Sequence, residues 1–148
     1  MKITLLNILK PGDNKDYNGG FGTTFQVGSS FLAKLLEKKR TSGEFLPLIS
    51  YGYLAGIFKK NGHKVEVLTN EIPQNSDLIV IQCSLVRHNL EMDFIKRIKE
   101  KTNTRIRLIG PFPSVRSDIF SPYADFIIQG EPEEVAFKIG SNYMFSDN

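Results

Sequence analysis

Five short apolar runs recur along the chain, and the segments between them follow helical spacing. The runs are residues 2–8 (KITLLNI), 64–68 (KVEVL), 77–83 (DLIVIQC), 105–109 (RIRLI) and 125–129 (DFIIQ). Short β-branched runs bounded by Gly, Pro and Asp suit the strands of a sheet covered on both faces. Strands that alternate with helices imply a parallel sheet with right-handed crossovers. Five of them predict an α/β fold, a flavodoxin-like or Rossmann-like doubly wound three-layer sandwich with strand order 2-1-3-4-5.

The helical segments carry their own signals. Tyr53, Leu54, Ile57 and Phe58 form one apolar stripe, followed by Gly62 as a C-terminal cap. Leu90, Phe94, Ile95 and Ile98 form a second stripe, with Glu91 and Asp93 early and Lys96, Arg97 and Lys99 late, as the helix dipole favours. Glu131, Pro132, Glu133 and Glu134 open a last helix, where proline fits the first turn. A short helix or irregular crossover is expected between Gly110 and Ala124. The first crossover is longer than one helix needs. It holds a Gly-rich stretch (NGGFG, 18–22) and an extra helix that Ser29 or Ser30 would cap, with Phe31, Leu32, Leu35 and Leu36 buried. The expected organisation is one domain over residues 1–140, with 9–46 as the extended first crossover. Residues 141–148 would be a tail or linker toward a further domain.

Composition narrows the function classes. The chain has 148 residues with 19 Lys+Arg against 16 Asp+Glu, a mixed-sign balance that does not demand a nucleic-acid partner. Aromatic and cationic residues do not interleave as a stacking platform requires. No apolar run reaches the roughly 20 residues of a membrane span, and the N-terminus reads as a strand, not a signal peptide. The lone Cys83 excludes an internal disulfide and a multi-cysteine metal site, and a cytoplasmic location follows as the expectation.

In open parallel sheets, ligands bind beyond the C-terminal ends of the strands. That rule selects the loops at 9–16, 84–88, 110–114 and 130–133, with the loop after the second strand at the sheet edge. Ser84, with Leu85 and Val86, leaves the central strand at the switch point, where it could serve a ligand or cap a helix. Gly110 has no side chain to block a large flat ligand, and Pro111 and Pro113 stiffen its loop. On that reading Gly110→Trp would fill the cleft and leave the sheet intact. Gly130 and Glu131 could add N–H groups and a carboxylate, or simply start a helix. The glycines at 18–22 lack the ending of a phosphate loop and the spacing of a dinucleotide fingerprint. His63 reads as structural, His88 as a surface or capping residue and Cys83 as buried. The cationic run at 96–107 reads as a solvated helix end and strand edge. No catalytic set and no metal-ligand spacing stand out.

Three local patterns add a resemblance. They are Pro47 to Val67, with its apolar GYLAG helix and Gly-His-Lys-Val-Glu-Val ending; LIGPFPS at 108–114; and ADFIIQGEPE at 124–133. In this order and spacing the chain resembles the N-terminal cobalamin-binding domain of many radical S-adenosylmethionine enzymes. The resemblance implies a corrinoid across the C-terminal edge of the sheet. Ser84, Leu85 and Val86 would contact it, Gly110, Pro111 and Pro113 would line the cleft, and Gly130 and Glu131 would lie beside it. It also implies a following barrel domain holding S-adenosylmethionine and a [4Fe–4S] cluster, whose CxxxCxxC motif is absent here. The chain alone is therefore not expected to be catalytic. The stretch at 9–16 has no His, so the cobalt would lack a His lower ligand from this loop. Two other readings share the fold: a nucleotide- or flavin-binding Rossmann-like protein, and a ligand-free docking or regulatory domain.

Overall fold

The computed structural model describes residues 1–10, 13–14, 23–24, 28–41 and 48–139. The glycines at 18–22 and the tail at 141–148 lie outside the described residues. In chain order the elements are β1 (Lys2–Asn7), β2 (Asp13–Asn14), β3 (Thr23–Thr24), α1 (Phe31–Thr41), α2 (Ile49–Lys60), β4 (Lys64–Thr69), β5 (Leu78–Gln82), α3 (His88–Lys101), β6 (Arg105–Ile109), α4 (Pro111–Val115), α5 (Ser117–Phe120), β7 (Phe126–Ile127) and α6 (Pro132–Lys138). The main sheet runs β4-β1-β5-β6-β7, every neighbouring pair parallel. Counted within that sheet alone, the order is 2-1-3-4-5. This is the flavodoxin-like, doubly wound α/β fold.

The β-branched runs fold this way because both faces of the sheet are covered. Ile3, Leu5, Leu78, Val80 and Ile109 pack with Leu54 and Phe58 of α2 and Ala136 of α6. Leu6, Ile79, Ile81, Ile106 and Leu108 point the other way, against Phe94, Ile95 and Ile98 of α3 and Phe112 and Phe120 of α4 and α5. Period-two alternation along each strand thus divides the apolar residues between two cores. Helix α2 ends in a Schellman motif: Gly62 N donates to Lys59 O and His63 N to Phe58 O, both at 3.0 Å. Gly62 takes the left-handed φ of +81° that this cap requires.

Three readings of the pattern change in the structure. Ser30 caps α1 as expected, with Ala33 N donating to its Oγ at 3.2 Å. Yet Phe31, Leu32, Leu35 and Leu36 are exposed, Phe31 by 83%, and Ala33 is the buried residue. The two cores are already filled by α2 with α6 and by α3 with α4 and α5, so α1 has no sheet face left to cover. Helix α2 is rotated from its expected stripe. Tyr51, Leu54 and Phe58 are buried, while Tyr53 is exposed. The helix is apolar on more than one side, so a 3.6-residue period fits either face. Finally, β6 lies inside the sheet, between β5 and β7, so the expected strand edge at 105–107 is interior. Arg107 there is half-buried, its guanidinium 5.1 Å from the centre of the Phe126 ring. Burial, and secondarily Arg105, lowers its pKa.

The outer pair β1–β4 carries one pH-dependent contact. Thr4 Oγ1 donates to Glu66 Oε1 at 2.7 Å, and Lys2 Nζ lies 3.0 Å from Glu66 Oε2. The Thr4 hydroxyl, and then Lys2, hold Glu66 below its ordinary value of 4.5. A carboxylate depressed in the folded state stabilises above its unfolded pKa and loses that contribution as pH falls through the folded one. Wild type and Glu66→Gln should therefore differ in Tm at neutral pH and converge in acid. Thermal melts across that range check this, and a gap that persists in acid would contradict it. The effect is small because the pair is partly solvated.

Candidate functional site

The crevice opens where successive crossovers leave the sheet in opposite directions, between β1 and β5. Their ladder ends at Leu6 paired with Ile81. One residue further, the Tyr51 hydroxyl stands between the strands. It donates to Leu6 O at 2.6 Å and accepts from Gln82 N–H at 2.8 Å. Ser50 Oγ donates to Gln82 Oε1 at 2.6 Å and fixes that side chain under the crevice. By register and alternation, Asn7 stands level with Gln82 on the same face. Its Oδ1 is buried and has no hydrogen-bond partner among the described residues. Asn70, at the end of β4, closes the edge: Leu9 N donates to its Oδ1, and its Nδ2 to Leu9 O, each at 2.9 Å.

Beside this point, over the ends of β5 and β6, lies a cleft of about 560 Å³. Ile49 and Ser50 from the start of α2 form one wall, and Gln82 and Ile109 the strand ends. Gly110, Pro111, Ser114 and Val115 form the α4 side, and Gly130 to Glu133 the α6 side. That volume lies within the range usual for small-molecule sites. Among the described residues that line it, Glu131 and Glu133 bring carboxylates and no Lys or Arg is present. Ser114 Oγ holds α4 to the next strand end, with its donor reach shared between Gly110 O at 2.8 Å and Ile128 O at 3.2 Å.

The structure brings Gly110, Pro111, Gly130 and Glu131 together around this cleft, but not all of the expected set. Pro113 is buried inside α4 against the core and does not line the cleft. Ser84 is only 2% exposed, and its N–H and hydroxyl both donate to Glu91, at 2.8 and 3.1 Å. Leu85 and Val86 stand exposed on the neighbouring loop. Gly110 itself plays a different part from the one expected. It adopts φ +115° and ψ 166°, and an added Cβ would lie 3.0 Å from Cys83 O. The missing side chain would thus point into β5, so the path of the chain demands glycine here, whatever the room for a ligand. Gly110→Trp would strain the sheet's centre instead of simply filling the cleft.

Other expected roles sit where they were placed. His63 is buried, its Nε2 3.0 Å from Ile139 O, joining α6 to the start of β4. His88 Nδ1–H donates to Leu85 O at 2.9 Å, a bond within the turn that leads into α3 and not a cap of its N–H groups. Cys83 is buried, as expected. The residues that sequence reasoning missed are Ser50, Tyr51, Gln82 and Glu91. Tyr51 and Gln82 bond partners tens of positions away, and no local motif marks them.

A second depression of about 580 Å³ runs along the outer side of α2. It is lined by Gly52, Tyr53, Gly56 and Ile57 with Phe137 of α6, and is almost wholly apolar. No group of three or more His, Cys, Asp or Glu among the described residues could hold a metal ion. No helix among them is long and apolar enough to cross a membrane. The fold and cleft define a doubly wound α/β protein with a candidate small-molecule site over the ends of β5 and β6, beside its switch point. No protein-family profile, curated protein or solved structure matches the chain.

Proposed function

We propose that this chain is a cofactor-binding module, and that the cofactor is cobalamin. The observation that carries the reading is convergence. Two of the three segments that resemble the cobalamin-binding domain, at 108–114 and 124–133, both contribute residues to the lining of one cleft at the C-terminal edge of the sheet. The cleft's own chemistry agrees. Among the described residues that line it, the charge-bearing side chains are the acids Glu131 and Glu133, which disfavour the multiply charged phosphates of a nucleotide or flavin. A corrin edge offers neutral amides, groups that both donate and accept, and the one phosphodiester of cobalamin carries a single negative charge. The buried Asn7 Oδ1 marks a place near the crevice where a donor is wanted.

The residues present fit such a group. Gly110, Pro111 and Gly130 would form the low rim, Glu131 and Gln82 would meet amide hydrogens, and Leu85 and Val86 would meet apolar ring edge. No protein cluster able to hold bare metal is among the described residues, so the cobalt would arrive inside its own macrocycle. When bound, cobalamin supplies methyl transfer or radical rearrangement chemistry. The protein's work here is to bind and orient the group and to shield one of its faces. The barrel partner, with its S-adenosylmethionine and [4Fe–4S] cluster, belongs to the same proposal, as does a cytoplasmic setting.

Titration of the purified chain with hydroxocobalamin, read by absorbance and calorimetry, tests this reading. Saturable binding near one equivalent is expected. Val115 is 75% exposed at the cleft wall, so Val115→Trp should fill the cleft without strain. That variant is expected to keep its Tm and bind at least about tenfold more weakly, the loss of about 1.4 kcal/mol that a displaced contact surface brings. Tight binding of FMN or ATP with no uptake of hydroxocobalamin would overturn the proposal in favour of the nucleotide or flavin reading.

A further inference from the structure

We propose that Glu91 is a positioning residue: it latches the loop after β5 into a fixed ledge that presents Leu85 and Val86 to the bound cofactor. The identity of what rests on the ledge depends on the cobalamin reading; the latch itself does not.

Glu91 lies one turn into α3 and is 0% exposed. A carboxylate is costly to bury unless hydrogen bonds replace its water. Here both oxygens turn back on one residue, Oε2 accepting Ser84 N–H and Oε1 accepting Ser84 Oγ–H. A helix that needed only a start would use a Ser, Thr, Asp or Asn cap. Arg87 holds the cap position of α3 and makes no side-chain cap bond. The buried acid thus goes beyond starting a helix: it fixes the last extended residue before the turn.

The turn is held at its other end as well. His88 Nδ1–H donates to Leu85 O, and the His88 ring packs on Phe112 of α4, centroids 5.3 Å apart. The loop after β5 and helix α4, whose Pro111, Ser114 and Val115 line the cleft, are joined through that contact. Between the two anchors the chain turns Leu85 and Val86 outward, 47% and 39% exposed, at the end of the central strand. Two adjacent apolar side chains held out by a buried acid make a preorganised surface of the kind a flat macrocycle needs. The resemblance assigned ligand contact to Ser84, Leu85 and Val86 alike, and the sequence pattern alone left Ser84 as either a ligand contact or a helix cap. The structure commits Ser84 to the latch and leaves the contact to its two neighbours.

The test compares Glu91→Gln, Glu91→Ala and the double variant Leu85→Ser/Val86→Ser with wild type. Two readouts are needed: amide hydrogen exchange at residues 85–87 without ligand, and hydroxocobalamin affinity. In Glu91→Ala, exchange in the loop should rise and affinity should fall, each by at least about tenfold, the range seen when supporting contacts of a bound group are removed. Glu91→Gln keeps an acceptor for Ser84 N–H and should recover part of both. The double variant should lose affinity while loop exchange stays as in wild type. Unchanged loop exchange in a folded Glu91→Ala, or in Glu91→Gln should the alanine variant fail to fold, overturns the latch. Wild-type affinity in the double variant overturns the ledge. A wild-type chain that takes up no hydroxocobalamin overturns the cofactor reading, and the exchange data then decide the latch by themselves.

Discussion

Tyr51→Phe is expected to lower the free energy of unfolding by about 2–3 kcal/mol, a large loss for one oxygen atom. The hydroxyl occupies the gap where β1 and β5 part, giving a proton to Leu6 O and taking one from Gln82 N–H. Both backbone groups lie in buried strands. Phenylalanine keeps the ring and its packing against Leu54 and the sheet, so the change isolates the two hydrogen bonds. Each bond contributes about 0.5–1.5 kcal/mol net, and a buried group left without its bond costs about 1–3 kcal/mol. Urea denaturation of the two proteins measures the difference. The slope with denaturant should stay constant, because the surface exposed on unfolding hardly changes. A difference below about 0.5 kcal/mol would mean that the strands close over the gap or that water replaces the hydroxyl. The same variant bears on the site, since Ser50 and Gln82 flank Tyr51 and floor the crevice.

This oxygen also shows where the sequence stops being readable. The sheet was legible because its signals are local. Residues 105–109 form β6 with the bounds their alternation predicts, 64–69 differs from prediction by one residue at one end, and 78–82 by one residue at each end. The last strand is the exception: 125–129 reads as five residues, and only Phe126 and Ile127 form β7. An edge strand pairs on one side alone, and at Asp125 the backbone N–H still donates to Ile106 O at 3.0 Å while the side-chain carboxylate accepts Ile106 N–H at 2.7 Å. Periodicity reports which residues alternate; it cannot report how long a neighbour stays alongside. The helices show the same limit. Ser30 was legible as a cap because its partner, Ala33, is three residues away. The rotation of α2 was not, because Ile49, Tyr53 and Ile57 form as good a stripe as Tyr51, Leu54 and Phe58.

For the candidate site the division is sharper. The rule that ligands gather at strand ends placed Gly110, Pro111, Gly130 and Glu131 on one cleft, because it follows from topology. It did not find Glu91, whose place in a first turn suits an exposed acid answering the helix dipole. The sequence holds both Ser84 and Glu91, seven residues apart, but not the turn that folds one onto the other. Pro113 was assigned to the cleft because the resemblance carries the loop at 110–113 there as a whole. In a helix, neighbours in sequence face different ways, and α4 turns Pro113 inward.

The second large effect falls at Gly110, where even Gly110→Ala is expected to cost about 2–4 kcal/mol. Its φ of +115° with ψ of 166° lies in a region that side-chain-bearing residues hardly enter. The added methyl would also meet Cys83 O at 3.0 Å, in a strand end fixed by Cys83 N donating to Ile109 O at 3.1 Å. Neither atom is the free end of a side chain, so relief requires the backbone of β5 or β6 to move. Gly130 supplies the control. It also has positive φ, +85°, but an added Cβ there meets nothing within 4 Å. Gly130→Ala should therefore cost about 1 kcal/mol from backbone strain alone. Denaturation curves for the two variants read out the difference directly. If they cost the same, backbone conformation alone governs both sites and the contact with Cys83 is absorbed. If Gly110→Ala costs clearly more, the glycine is there so that β6 can turn into α4 against the central strand. Loss of ligand binding on substitution at Gly110 would then report a displaced wall, and the volume of the cleft is better probed from Val115, whose side chain already points into open space.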